Sequence, residues 1–516
     1  MPAAELQRGL RRWGGVLALA VLLLLPLSYG LAGVCPFGLY QSREAAGLRE
    51  AVGALGFLPD DLALALKRYV SGDSFLREPA LAAALYGGLL LVATAAAARV
   101  LALLVRRPEA VDDRAVRTLL RFGVLFAALS VLAYPIFTQD FWLSVVWGRM
   151  AAHGTNPYFN PFSEAGLAGV PMEGYEARMT YGPLWGLCSA ALTSLCGRRP
   201  PLEFVAFKGV LLGAWIACLL LVRRIASLRH GPAGQAVAVT LFGWLPVSFH
   251  LAVGEGHNDV VMVALLLLWL DLALRGRHLL SPAVLAASVA VKYVSFPVLA
   301  LELLRGLRRR LRPPRALLTY LAALAAGALV ALAAVAAFAR DASFLEATAG
   351  MSSWRLLTPS VAVVEAAQRL GLAPAAAWLD APLPALDAYR RVDALVLLAL
   401  APALLVPLGR ELRGRGGEPG DLEQVLFAGL AATALVLAGH TWPWFLLWPL
   451  AAGCLVWRRP LFRLLLPLFF LAPFAHLFWI LSRSGWGPAG VATLALWGAV
   501  LVAGVPAWRL LRPGAR

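Results

Sequence analysis

The sequence has little charge. Only 15% of its 516 residues are Asp, Glu, Lys or Arg, against about 25% in an ordinary soluble domain. Acidic side chains are the scarcer sign, 29 against 46 basic ones, which leaves a net charge of +17. No polar stretch is long enough for a separate soluble domain; the two longest candidates, Cys35–Ala80 and Arg340–Arg391, are short and amphipathic. Five cysteines (Cys35, Cys188, Cys196, Cys218 and Cys454) have no CxxC or other metal-ligand spacing. They read as free thiols rather than a disulfide framework, and Cys188 and Cys196 are poorly spaced on a helix to pair. No strong internal repeat is visible, which counts against the symmetric transporter folds. These absences exclude a soluble globular enzyme.

What the chain has instead is apolar length. Hydrophobic residues make up 60% and the mean hydropathy is +0.74. Runs of roughly 17–25 apolar residues recur, each able to cross a hydrocarbon core of about 30 Å. The basic residues are mostly arginines between those runs, which the positive-inside rule explains without nucleic acid as a partner. At the N-terminus, Arg8, Arg11 and Arg12 precede the run Trp13–Leu31 like a signal peptide. Val34 interrupts the LAGVC box before Cys35, so an uncleaved signal-anchor is expected.

Charge asymmetry predicts an all-α, polytopic bundle with about twelve crossings and both termini cytoplasmic. The expected spans are Trp13–Leu31, Leu81–Leu104, Val116–Pro135, Phe204–Val222, Ala236–Val253, Val260–Leu274, Ala316–Phe338, Ala394–Leu408, Val425–Ala438, Trp444–Trp457, Leu464–Leu481 and Val491–Trp508. Phe141–Ala152 and Leu184–Leu195 are too short to span and are expected as outer juxtamembrane helices. Leu279–Leu304 lies between two basic loops and is too short to cross twice, so a partly penetrating hairpin with its apex near Lys292 or Pro297 is expected. This divides the chain into an N-terminal pair of spans with an outer amphipathic loop (1–115), a core (116–340) whose first outer loop is 137–202, and C-terminal spans (341–516) with an outer loop at 340–391.

The polar residues that filler does not explain map to one side of this bundle: Asp140, Asn156, Tyr158, Tyr181, His257, Asn258, Asp259, Lys292, His440 and Trp444. Ionisable groups at membrane depth are costly and are functional candidates by default. Asp140 can serve as a general base or simply cap the helix that follows it. The NPY and YGP triplets are turn chemistry, and their tyrosines are also suited to interfacial anchoring. His257 and Asp259 are candidate ligand contacts, although Asp259 at a helix start also suits the dipole; the spacing is wrong for metal ligands. Lys292 either snorkels or faces a phosphate. His440 and Trp444 line a sugar pocket or belong to an aromatic belt.

Read in order, TQDFWLSVVWGRMAAHGTNPYFNP, YGPLWGL, GEGHNDVVMVALLL, AVKYVSFPVL and HTWPWFLLWPL resemble the polyprenyl-phosphate-mannose-dependent mannosyltransferases of the GT-C superfamily, including bacterial α-mannosyltransferases that build lipoglycans. The resemblance implies a GT-C fold with its catalytic aspartate on the first outer loop, here Asp140. It implies a polyprenyl-phosphate-sugar donor entering from the bilayer and a glycan or glycolipid hydroxyl as acceptor. Lys292 and His257 are then expected to stabilise the leaving phosphate, with no cofactor or metal and with inversion at the sugar. Such proteins often carry a tyrosine just after the aspartate, where this chain has Phe141 and Trp142. The spans before Val116 are not needed by the core fold. A flippase of lipid-linked saccharides, which needs no carboxylate at a reacting centre, and a non-catalytic polyprenyl-binding scaffold are the alternatives.

Overall fold

The computed structural model describes residues 3–32, 79–136, 138–160, 178–277, 280–310, 314–339, 358–370, 388–413, 418–438, 441–475, 477 and 496–502. Among them every regular element is helical. The helices are α1 (Ala3–Ala32), α2 (Pro79–Arg106), α3 (Asp113–Ser130), α4 (Asp140–Ala152), α5 (Pro183–Leu195), α6 (Pro200–Arg229), α7 (Pro232–Gly243) and α8 (Pro246–Phe249). A π-turn, His250–Gly254, continues α8. Then come α9 (Asp259–Leu274), α10 (Ser281–Val291), α11 (Phe296–Arg310), α12 (Pro314–Ala336), α13 (Pro359–Arg369), α14 (Ala388–Arg413), α15 (Asp421–Ala432), α16 (Leu447–Gly453) and α17 (Pro460–Leu471). Proline begins many of them because its fixed φ suits the first helical turn and its missing N–H is not needed there. Asp112 starts α3 by accepting the Ala115 N–H at 2.7 Å.

Among the described residues, four helical segments are long and apolar enough to cross a membrane: Ala84–Arg106, Pro200–Arg229, Leu317–Ala336 and Tyr389–Arg413. A fifth is counted if α7 and α8 with its π-turn, bent by 52° at their break, form one span. The count is therefore four or five by length, below the expected dozen. The difference has physical causes. Pro246 breaks the expected span Ala236–Val253, α3 at the expected span Val116–Pro135 carries Asp113, Arg114, Arg117 and Arg121, and short or irregular helices occupy Val260–Leu274, Val425–Ala438 and Trp444–Trp457. Most of Val491–Trp508 lies outside the described residues. Short helices are present at both positions expected for them, as α4 and α5.

One end of the bundle is tied by ion pairs. Arg410, at the end of α14, grips Asp421 at the start of α15 with two bonds of 2.8 and 2.9 Å, and Arg459 adds a third at 3.3 Å. Arg229 pairs with Glu423 at 3.0 Å, and Arg224 and Arg275 flank Asp271 at 3.1 and 2.9 Å. Arg305 on α11 reaches Glu411 at 3.0 Å. The ends of α6, α9 and α14 therefore share one layer with the start of α15. At 1.5 Å per residue, Asp259 at the other end of α9 stands about 18 Å from Asp271.

At that opposite end, α4 is held against α6 by a fully buried pair. Arg149 donates to Glu203 through Nε at 2.9 Å and through a second nitrogen at 2.5 Å, with the two side chains 1% and 0% exposed. Removing one partner strands the other charge, at a cost of about 3–5 kcal/mol. Glu203→Ala is expected to lower the melting temperature of the purified protein sharply, while Arg149→Met combined with Glu203→Leu recovers most of the loss. A single variant that melts like the wild type would show that the pair does not fix α4.

Candidate active site

The site forms where two chain segments meet beside a helix break. The first runs from Val131 into α4. Asp140 is the first helical residue and its side chain does not cap the helix, contrary to one of the two sequence expectations. Instead the Thr138 hydroxyl accepts the Asp140 N–H at 3.0 Å. The Asp140 carboxylate, 23% exposed, turns toward His257, whose Nδ1 lies 3.2 Å from Oδ2 but is misaligned for a full hydrogen bond. Burial opposes the charge on Asp140, yet the His257 contact and the positive Lys292 hold its carboxyl below the ordinary value. Burial likewise holds His257 below its usual range against the pull of Asp140, so the ring is neutral near pH 7.

The second segment is the GEGHND turn. Gly256 has a φ of +85°, a left-handed conformation that glycine adopts without strain. A Cβ there would stand 2.5 Å from the Phe141 ring, so glycine also permits the close approach of the two segments. The three polar residues that follow diverge. His257 stacks on Trp444 at 3.9 Å and 16°, and Trp444 stacks on Trp442 at 5.0 Å and 6°. The buried Asn258 amide has no hydrogen-bond partner among the described residues. Asp259, fully buried, accepts both oxygens' worth of bonding from Lys292 at 2.9 Å each, and Oδ1 also accepts from Trp448 Nε1 at 2.5 Å.

Lys292 stands at the break between α10 and α11, followed by a short 3-10 turn at Tyr293–Ser295. Its ammonium is 12% exposed and lies 5.1–5.4 Å from the rings of Phe445, Tyr181 and Trp448, a cation–π cage. Lys292 does not snorkel into lipid. It is neutralised by Asp259 and surrounded by aromatic faces.

Asn156 and Tyr158 brace this arrangement. The Asn156 side chain donates to Phe338 O and accepts the Tyr158 N–H at 3.0 Å, and the Tyr158 hydroxyl donates to Tyr181 O at 2.7 Å. Gly182 N donates to Val291 O at 2.9 Å, beside the break. A Cβ on Gly182 would lie 2.1 Å from Ala290 O, so the YGP loop can approach that backbone only with glycine. Tyr181 thus faces both Lys292 and Asp140. Of the sequence candidates, Asp140, Tyr181, His257, Asp259, Lys292 and Trp444 converge, with Asn258 beside them, while Asn156 and Tyr158 stand behind. His440 lies outside the described residues.

Sequence reading passed over Trp442, Trp448, Lys208 and Glu255. Lys208 carried the same signal as Lys292, a lone lysine inside an apolar run, here Phe204–Val222. Among the described residues no group of three or more His, Cys, Asp or Glu is arranged to hold a metal ion.

Comparison with known proteins adds an independent line. Residues 53–307 match the family described as alpha-(1->6)-mannopyranosyltransferase, N-terminal domain. The chain is 27% identical over 348 residues to alpha-(1->6)-mannopyranosyltransferase A of Mycobacterium tuberculosis, covering 64% of this chain and 63% of that protein. It is 28% identical over 172 residues to the protein of the same name from Corynebacterium glutamicum, covering 31% of this chain and 33% of that one. The chain thus spans less than two thirds of the length of these relatives.

If Lys292 and Asp259 act as one closed pair, a double-mutant cycle of Lys292→Met and Asp259→Asn on thermal stability yields a coupling of about 1–3 kcal/mol, the range for contacting residues. Additive losses would mean that the two charges do not depend on each other.

Proposed function

Starting from homology to the alpha-(1->6)-mannopyranosyltransferase family, we propose that this membrane protein transfers mannose from a polyprenyl-phosphate donor to a hydroxyl of a glycan or glycolipid, with inversion. The observation that carries the reading is the Asp140 carboxylate, partly exposed and ionised, next to neutral His257 and the Lys292 cation. Asp140 removes the proton of the acceptor hydroxyl. The hydroxyl oxygen attacks the anomeric carbon from the face opposite phosphate, and the bond to the phosphate oxygen breaks with its electron pair leaving on phosphate. The developing charge meets the Lys292 ammonium, which has a third donor beyond the two facing Asp259, and the His257 ring. The Asn258 amide, without a protein partner among the described residues, is available to a sugar or phosphate oxygen. Tyr181 and Trp444 supply the aromatic wall of the pocket.

The proposal includes a plasma-membrane location with both termini cytoplasmic and the Asp140 site on the outer face. About twelve crossings follow if the short and broken helices also count as spans. The hairpin at 279–304 is supported by its two ends meeting, since Ser281 Oγ donates to Glu302 at 3.0 Å while Lys292 sits at the far end. The arginine-rich layer at the other end of α9 suits a cytoplasmic face. Metal independence belongs to the same reading and is tested by turnover after treatment with a chelator.

Asp140→Asn keeps the size of the side chain and removes the base. Turnover is expected to fall by about two to four powers of ten, the range for loss of a general base, with folded yield unchanged; an active Asn variant would refute the assignment. Because the Asp140 carboxyl is held down, the acid limb of the wild-type rate profile should lie below the range where an ordinary aspartate titrates. Replacing His257 by Gln should move it to higher pH, and an unmoved limb would separate His257 from the base. Lys292→Met should weaken donor use strongly and Lys292→Arg should retain part of it; equal donor affinity in Lys292→Met and wild type would mean that the phosphate is held elsewhere. Cysteines introduced at positions 174 and 360 should react with an impermeant reagent in intact cells, and those at 305–315 should not; the reverse pattern would invert the topology.

A further inference from the structure

The two segments that meet at Asp140 and His257 are held from behind by a buried polar chain that the reaction does not use. Lys208, on α6 and fully buried, donates to Ala133 O at 3.2 Å, to Val253 O at 2.7 Å and to Gly254 O. One ammonium thus bonds the backbone just before Asp140 and the backbone just before His257. Glu255, also fully buried, repeats the link in the other direction by accepting the Ile136 N–H at 2.9 Å. The Phe141 and Phe204 rings flank the ammonium at 5.3 and 5.4 Å.

This chain continues into the two N-terminal helices. His250 Nε2 lies 3.9 Å from Glu255 Oε1 and hydrogen-bonds with the hydroxyl of Tyr86, on α2. From α1, the Ser28 hydroxyl accepts the Tyr134 N–H at 2.9 Å. Both helices therefore place one buried polar atom against the strut that sets Asp140 and His257. The family match begins at residue 53, so α1 lies outside it.

We infer that Ser28, Tyr86, His250, Glu255 and Lys208 are positioning residues, through which the N-terminal helices hold the base-bearing segment in register with the His257 turn. The physical reason is the direction of the bonds. Ser28, Lys208 and Glu255 bond backbone groups of 133–136 or 253–254 directly, and Tyr86 reaches them only through His250, which lies against Glu255. In an apolar bundle such groups have no water to turn to if the partner is lost. Sliding either segment would separate Asp140 from His257, and a misplacement of about 1 Å costs up to about 100-fold in rate. The inference rests on the proposed transfer for its kinetic consequence, but the register it describes is measurable without turnover.

The test uses the full chain in lipid nanodiscs and the Ser28→Ala, Tyr86→Phe and Lys208→Met variants. Tyr86→Phe and Ser28→Ala delete one oxygen each and should fold even if Lys208→Met does not. Amide deuterium exchange should rise by about threefold or more in peptides covering 131–142 and 250–259, while α15 (421–432) stays at the wild-type rate, as expected of a local opening. With polyprenyl-phosphate mannose as donor, kcat per folded enzyme should fall about tenfold in Tyr86→Phe with donor KM within about twofold, the split expected when only alignment is lost. Exchange that is unchanged, or that rises alike over the whole chain, overturns the inference whatever the activity. Raised local exchange with a wild-type protein inert toward this donor supports the clamp and refutes the proposed reaction instead. Raised KM at unchanged kcat contradicts the positioning role.

Discussion

In an apolar helical bundle every buried charge must find its partner inside the protein, and that constraint decides where the elements of this chain end. An isolated ion there is far costlier than the coulombic gain of any one contact. Asp259 is paired with Lys292 and Trp448, Glu203 with Arg149, Asp421 with Arg410, and Lys208 with three carbonyl oxygens. Each pairing joins separate elements, and all but the Arg410–Asp421 pair join elements that are not consecutive in the chain or are split by a break. The break at Lys292 is one result, because the ammonium reaches Asp259 only where α10 has stopped and α11 has not begun. The sharp turn at Gly256 is another, since the backbone must bring His257 to Asp140 and Asp259 to Lys292 within three residues.

The same pairing separates the roles of the polar residues. Asp259 is fully buried and already bonded by a lysine and an indole. Asp140 is different: it keeps part of its surface open, and its neighbour is a neutral ring. Two aspartates at the ends of adjoining turns thus have unlike surroundings, and the proposed transfer assigns the reactive role to the more open one. The stacked His257, Trp444 and Trp442 rings and the aromatic cage of Lys292 supply the flat, weakly polar walls that suit a sugar and an isoprenoid phosphate.

Much of the helix pattern was legible in the sequence, because hydropathy and proline report directly on helix starts and apolar length. The expected short helices at 141–152 and 184–195 begin one residue earlier, at Asp140 and Pro183. Span number was less legible. An apolar run does not reveal that Pro246 bends it or that a π-turn interrupts it. Asp140, His257 and Lys292 stood out as polar groups in greasy surroundings, and they do converge. Asn156 and Tyr158 stood out for the same reason, yet they brace the Tyr181 loop, a distinction that needs the long-range contact with Phe338. Lys208 was visible by the same rule as Lys292, but its importance lies in the two backbone segments it connects, which no local pattern records.

The account stands or falls on whether the site makes and breaks a glycosidic bond. The direct measurement is product analysis: purified protein in nanodiscs, given polyprenyl-phosphate mannose and a mannoside acceptor, followed by mass spectrometry and NMR of the acceptor. The account predicts an acceptor heavier by one hexose, with anomeric configuration opposite to that of the donor. An acceptor of unchanged mass, with the donor lipid merely moved across the bilayer, would contradict it.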